Sequence, residues 1–292
     1  MKLVFMGTPV FAAASLEALI AAGHDILAVY CQPDKPVGRG MKLTPPPVKQ
    51  LALSHGLTVH QPTKLRDGVV AEQLRAYAPD CIAVVAYGRI LPLDILEIPK
   101  HGCINAHASL LPKYRGAAPI QWAVLNGERE SGVTTMHMAE GMDTGDMILK
   151  RTIAIPPDMT AGELHDELMP MAAELLVETL ACLEIGNAPR TPQDEALATI
   201  APMLDKSLCD VDWQKSAQKV VNQIRGLDPW PVATTNINGV VLKITNASIF
   251  GEDTSNGGLT IAAGDGKLVC IGTVQAPGGK KMPAADYLRG RK

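Results

Sequence analysis

The sequence reads as an α/β protein in two parts, a doubly wound parallel sheet followed by a small β-barrel. Three observations predict this. From Lys2 to Ile155, short apolar runs alternate with amphipathic stretches of helical spacing, the pattern of βαβ units. Five short strand-like runs, 234–237, 240–244, 247–250, 259–262 and 268–274, then succeed one another across Asn-Gly, Gly-Glu-Asp, Asn-Gly-Gly and Gly-Asp-Gly turns, which suggests a small barrel. Finally, 292 residues are long for a single core. Between the two patterns, Pro189, Pro192 and Pro202 punctuate a stretch with few large apolar groups. The expected organisation is therefore a Rossmann-like domain over 1–187, a linker over 188–204 and a barrel domain over 205–292.

Each element follows from local chemistry. Residues 2–6 form an apolar run ending at Gly7-Thr8-Pro9, and 11–22 carry helical spacing with a stop at Gly23. Strands are predicted at 26–31, weakly at 57–60, and strongly at 81–86, with helices at 48–54 and 69–78 between them. No Gly-x-Gly-x-x-Gly follows the first strand, so the sheet does not advertise a dinucleotide site. A strand at 103–107 and a helix at 117–126 precede two strands, 133–138 and 146–155, that flank a loop. Thr160-x-x-Glu163 is a capping box opening a helix over 160–185, and Met169-Pro170 predicts a kink or a broken first turn in it. A short helix at 216–225 leads into the barrel.

Composition narrows the class. No apolar run is long enough for a membrane span, and the start of the chain lacks a signal-peptide pattern, so a cytoplasmic protein is expected. Six scattered cysteines without a Cys-x-x-Cys pair point to free thiols and to no metal site. The net charge of −3 hides an asymmetry: from Lys206 onward 11 basic residues face 7 acidic ones, leaving the earlier part strongly acidic. A basic tail on an acidic body suits a polyanionic partner, although a fluctuation of this size also occurs by chance.

The chemistry concentrates in 102–143. Asn105 and His107 sit two apart at the carboxyl end of a strand, hence on one face and where open sheets bind ligands. Pro112 halts the ladder just beyond, freeing the backbone of Ser109 to Pro112 to lie against a ligand. Asp143, between Gly141 and Gly145, can bring its carboxylate close to other backbone. An amide, an imidazole and a carboxylate suit addition to a carbonyl: Asn105 and a protonated His107 stabilise an oxyanion while Asp143 supports the histidine or takes a proton. The plainer alternative is a satisfied structural histidine at a strand end. His137, inside a strand, is assigned a structural role.

Asn105-Ala106-His107-Ala108-Ser109-Leu110-Leu111-Pro112, then Tyr114-Arg115-Gly116 and Asp143-Thr144-Gly145, resemble the signature of the folate-dependent formyltransferases. Phe5-Met6-Gly7-Thr8-Pro9, Gln32-Pro33-Asp34-Lys35-Pro36, Tyr87-Gly88-Arg89-Ile90-Leu91, Asp228-Pro229-Trp230-Pro231 and Pro277-Gly278-Gly279-Lys280-Lys281-Met282 narrow the resemblance to the branch acting on charged initiator tRNA. The resemblance covers nearly the whole chain in order. It implies transfer of a formyl group from 10-formyltetrahydrofolate to the α-amino group of methionine on initiator tRNA, without a metal. By the same resemblance, Asn105, His107 and Asp143 are catalytic, and 140–143 border the pterin. Ser109, Leu110, Leu111 and Pro112, with the backbone of Arg89, Ile90 and Leu91, bind the folate. The basic loop 32–47 enters the tRNA acceptor region through Arg39 and Lys42, the barrel is an oligonucleotide-binding fold, and a monomer is expected. Two rivals stay open: a formyltransferase acting on a small amine, and a tRNA-binding protein without activity.

Overall fold

The structure is a computed structural model that describes residues 1–38, 40–251 and 259–290. The chain packs into two compact units that are not consecutive in sequence. One holds residues 1–117, 132–152 and 166–200; the other holds 118–131, 153–165 and the described residues from 201 onward.

In the first unit the expected alternation is present: β1 (Lys2–Gly7), α1 (Val10–Ala21), β2 (Asp25–Tyr30), β3 (Lys35–Val37), β4 (Lys42–Thr44), α2 (Pro47–Ser54), β5 (Val59–His60), α3 (Val69–Tyr77), β6 (Cys81–Val85), α4 (Leu93–Leu96), β7 (Cys103–His107) and β8 (Arg115–Gly116). After α5 (Pro119–Leu125) come β9 (Glu130–His137), β10 (Met147–Ala154) and α6 (Ala161–Glu184). The main sheet runs β10-β9-β7-β6-β1-β2-β5. Strands β7, β6, β1, β2 and β5 are parallel, and the order reverses between β1 and β6, which opens a crevice at their carboxyl ends.

Period-two alternation gives each strand two apolar faces. Val4, Met6, Ala28, Tyr30, Ile82 and Val84 pack against Val70, Ala71 and Leu74 of α3 and Ile95 and Leu96 of α4. Leu3 and Phe5 alternate to the other face, where α1 comes so close that a Cβ on Gly7 would lie 2.7 Å from the Ala12 Cβ. The sheet is mixed, not wholly parallel: β9 is antiparallel to β7. A nine-residue loop between β9 and β10 is too short for a parallel crossover.

Loop 32–47 contains a small antiparallel ribbon, with Lys35 opposite Thr44 and Pro36 opposite Leu43. Helix α6 opens with the expected capping box: the Thr160 N–H donates to Glu163 Oε2 at 2.8 Å and the Glu163 N–H to Thr160 Oγ1 at 3.2 Å. Of the kink or broken first turn expected at Met169-Pro170, the break does not occur: one helix runs from Ala161 to Glu184 with Pro170 inside it. Loss of one N–H leaves an amphipathic helix of 24 residues intact because its packed face holds it. The stretch expected as a linker is ordered against the first unit as far as Ile200, with Thr191 exchanging backbone hydrogen bonds with Met147 at 2.8 and 2.9 Å.

The second unit contains β11 (Ile200–Ala201) from its second residue, α7 (Ala217–Gly226), β12 (Thr234–Ile237), β13 (Val240–Ile249), β14 (Leu259–Ala262), β15 (Leu268–Gln275), β16 (Met282–Pro283) and α8 (Ala284–Arg289). Its antiparallel ladders run β12-β13-β15-β14, with β16 also on β15. The Asn238-Gly239 turn takes positive φ at both residues (50° and 80°), the conformation a two-residue hairpin needs. The two strands expected at 240–244 and 247–250 are one strand, β13, kinked at Asn246 (φ 56°) opposite Gly272. The turn residues at 252–258 lie outside the described residues. Val220, Val221 and Ile224 of α7 form the core with Leu242, Ile244, Val269, Ile271 and Val274. Helix α5 belongs to this unit: a Cβ on Gly226 would lie 2.7 Å from the Leu125 Cγ, so only glycine allows α7 this approach. All six cysteines are free thiols. Among the described residues no helix is long and apolar enough to cross a membrane.

Candidate active site

Strand β7 is buried along its whole length and ends beside β6, at the carboxyl edge of the parallel strands. Asn105 stands opposite Met136 and His107 opposite Thr134, so their side chains share one face of the strand. Asn105 is 8% exposed, yet its amide makes no hydrogen bond among the described residues. Its amide still touches solvent, so a ligand entering from that side can supply the acceptor.

His107 is hydrogen-bonded at one nitrogen and faces a carboxylate with the other. Nε2 lies 2.9 Å from the Tyr114 carbonyl oxygen, which can only accept, so Nε2 carries a hydrogen. Nδ1 lies 3.7 Å from Asp143 Oδ2, an ion-pair distance once the ring is charged. The Gly116 N–H donates to the same carboxylate oxygen at 2.8 Å. Asp143 reaches this spot from a residue with φ 53°, and Gly145 makes the approach possible, because a Cβ there would sit 1.7 Å from the His137 carbonyl oxygen. Sequence thus brings Asn105 and His107 together by strand period, and the fold adds Asp143.

Ser109 to Pro112 lie along the same edge. Ser109 Oγ donates to the Lys113 carbonyl at 2.7 Å, Thr134 Oγ1 donates to the Ser109 carbonyl at 2.7 Å, and the Leu111 N–H donates to Thr134 Oγ1 at 3.1 Å. Lys150 Nζ caps the Leu111 carbonyl at 2.5 Å. Leu111 is buried and Leu110 and Pro112 half-buried. Thr134 and Lys150 escaped the sequence reading, because a strand threonine and a strand lysine carry no local signal.

At the end of β6, Gly88 takes φ 78° and the chain turns toward Pro92, which precedes α4. The Arg89 side chain is engaged within the protein, donating from Nε to Gln32 Oε1 at 3.2 Å and from Nη1 to the Thr63 carbonyl at 2.7 Å. Ile90 is 58% exposed while Leu91 is buried. Of the two basic residues singled out in loop 32–47, Lys42 is exposed on β4, and Arg39 lies outside the described residues. His137 stands opposite Ile104, on the face of the sheet away from Asn105 and His107, and burial holds it below the ordinary histidine value.

A second set of polar residues fixes the Asp143 loop. Arg115 is 4% exposed; its Nε and Nη2 donate to Gln193 Oε1 at 3.0 and 2.8 Å, and its Nη1 and Nη2 to the two oxygens of Glu195 at 2.9 and 2.7 Å. These hydrogen bonds hold the Glu195 carboxyl below its ordinary value and keep the guanidinium charged. Gln193 Nε2 donates to the Asp143 and Gly145 carbonyls at 2.7 and 2.8 Å. Neither Gln193 nor Glu195 was readable from sequence, because both lie in a proline-punctuated stretch that reads as a linker. Among the described residues no cluster of histidine, cysteine, aspartate or glutamate could hold a metal.

The whole arrangement places an amide donor, an imidazole and a carboxylate together at the carboxyl edge of a Rossmann-like sheet. It can stabilise negative charge on a carbonyl oxygen and accept a proton beside it. Two family models match the chain: Formyl transferase over residues 1–180, and Formyl transferase, C-terminal domain over residues 203–292. The chain is 52% identical to a methionyl-tRNA formyltransferase of Moorella thermoacetica, over 99% of this chain and 96% of the relative. It is 51% identical to one of Pelotomaculum thermopropionicum over the same shares. Among solved structures it resembles an N-formyltransferase of Helicobacter canadensis in complex with folinic acid and dTDP-3-aminofucose, with a TM-score of 0.70 and 20% identity over 94% of this chain and 99% of that one.

Proposed function

This chain belongs to the methionyl-tRNA formyltransferase family, and from that premise we propose that it transfers the formyl group of 10-formyltetrahydrofolate to the α-amino group of methionine carried by initiator tRNA. The reaction supplies formylmethionyl-tRNA for translation initiation and belongs in the cytoplasm, where both substrates occur. The protein acts as a monomer.

The observation that carries this reading is the meeting of His107 and Asp143 at 3.7 Å beside the partnerless amide of Asn105. The residues present suit a folate: an amide free to donate, a turn at Gly88 with room for a ring to approach backbone, and a pinned Ser109 to Pro112 loop. Ser109, Leu110, Leu111 and Pro112, with the backbone of Arg89, Ile90 and Leu91, hold it. The folate supplies the formyl carbon. Asn105 Nδ2 and the Nδ1–H of the charged His107, the ring nitrogen that the Tyr114 carbonyl does not occupy, donate to the formyl oxygen as it takes on negative charge. Asp143 keeps its Oδ2 on the Gly116 N–H, and its Oδ1, which makes no hydrogen bond among the described residues, accepts the proton leaving the attacking amine. As the new C–N bond forms, the bond from the formyl carbon to folate N10 breaks, and the proton passes on to that nitrogen.

For the tRNA we assign Arg39 and Lys42 in the 32–47 loop, and the second domain, whose five strands and short helices suit an oligonucleotide-binding barrel. Exposed Lys280 and Lys281 give it cationic surface. The test is direct: purified protein, charged initiator tRNA and 10-formyltetrahydrofolate should yield formylmethionine. Lys42→Ala should raise KM for tRNA, leave KM for folate unchanged and lower the salt slope by about one. Formylation of small amines in place of charged tRNA would favour the rival substrate class, and no transfer at all would overturn the enzyme reading.

A further inference from the structure

We infer that Gln193 is a positioning residue for Asp143, delivered to the site by the stretch that sequence presents as a linker. This inference rests on the reading of Asp143 as the proton acceptor. Thr191, two residues earlier, is locked to Met147 by a pair of backbone hydrogen bonds, which aims Gln193 at the loop after β9. There its amide is read at both ends. Oε1 accepts two hydrogen bonds from the buried Arg115 fork, and Nε2 donates to the carbonyls of Asp143 and Gly145.

The donors and acceptors around it permit one orientation. Arg115 can only donate and the two carbonyls can only accept, so a flipped amide would lose every bond. Glutamine is the side chain that meets both demands at this length. Glutamate would keep Arg115 but set a carboxylate against two carbonyl oxygens, and methionine would fill the space with neither function. Arg115 is itself anchored by both oxygens of Glu195, and the following residue, Gly116, gives its N–H to Asp143 Oδ2. The carboxylate is therefore fixed from two sides, its backbone by Gln193 and its side chain by Gly116, through residues that share the Arg115 anchor.

Gln193→Met and Gln193→Glu should lower kcat about 10- to 100-fold, the cost of a small displacement at a reacting group. KM for both substrates should stay near wild type, and the unfolding midpoint should fall modestly, more for Gln193→Met than for Gln193→Glu, because methionine takes an acceptor away from the buried Arg115 fork. In an Asp143→Asn background, Gln193→Met should lower kcat by less than about twofold further, since the group it positions is already disabled. Asp143→Asn at full rate overturns the reading of Asp143 and this inference with it. If Asp143→Asn is slow, Gln193→Met at full rate, or slow by the same factor in both backgrounds, overturns this inference alone.

Discussion

Replacing Asp143 by asparagine removes one negative charge while leaving an oxygen for the Gly116 N–H, which now donates over 2.8 Å. The loop should hold its shape, so the variant isolates charge and proton acceptance. The carboxylate stands 3.7 Å from the imidazole and is the group that would take the amine's proton. Loss of a general base costs a factor of about 100 or more, so kcat should fall about 100- to 1,000-fold with KM little changed. Single-turnover formylation of charged tRNA, alongside an unfolding curve, measures it. A kcat within about threefold of wild type on a folded protein would refute the catalytic role of the carboxylate.

Asn105→Ala should lower kcat about 100- to 1,000-fold, as removal of an oxyanion donor does, yet cost little stability, because the amide has no protein partner to lose; an unfolding midpoint that drops with the rate would argue for a structural role instead. Gly145→Ala places a Cβ against the His137 carbonyl oxygen at 1.7 Å and must displace the Asp143 loop, so it should cost about 1–3 kcal/mol of stability and most of the transfer rate; crystallography of the variant would show an undisturbed loop if this is wrong. Burial holds His137 and His60 below the ordinary histidine value of 6.5, so the unfolded chain binds protons first as pH falls. Their contribution is complete above that value and is lost as pH drops through the folded values, and urea unfolding should show stability declining from pH 7.5 toward about 5.5. His137→Gln should flatten that decline, and an unchanged slope would remove His137 from the account.

Much of the site was legible because it is local. The strand at 103–107 sets Asn105 and His107 on one face by its two-residue period, and the observed bounds agree. The capping box at Thr160 and the Asn238-Gly239 turn are equally short-range, and each forms as its chemistry requires. Where context at a distance decides, sequence pattern misled. Pro170 reads as a kink or a broken first turn, yet packing along 24 residues keeps the helix unbroken through it. Residues 240–250 read as two strands, but pairing with β15 makes them one, bent at Asn246 where Gly272 leaves room.

From the sequence alone came the alternating α/β framework, the charge asymmetry, the amide and imidazole on one strand face, and the glycines that let Asp143 approach. Those depend on residues within a few positions of one another, which a linear pattern records. Only the tertiary structure could decide that Asp143 stands 3.7 Å from His107, that Gln193 and Arg115 fix its loop from 50 residues downstream and 28 upstream, and that α5 packs with α7. Such contacts join residues far apart in the chain through complementary donors, acceptors and space, and nothing in the order of residues states which distant partner will fill them.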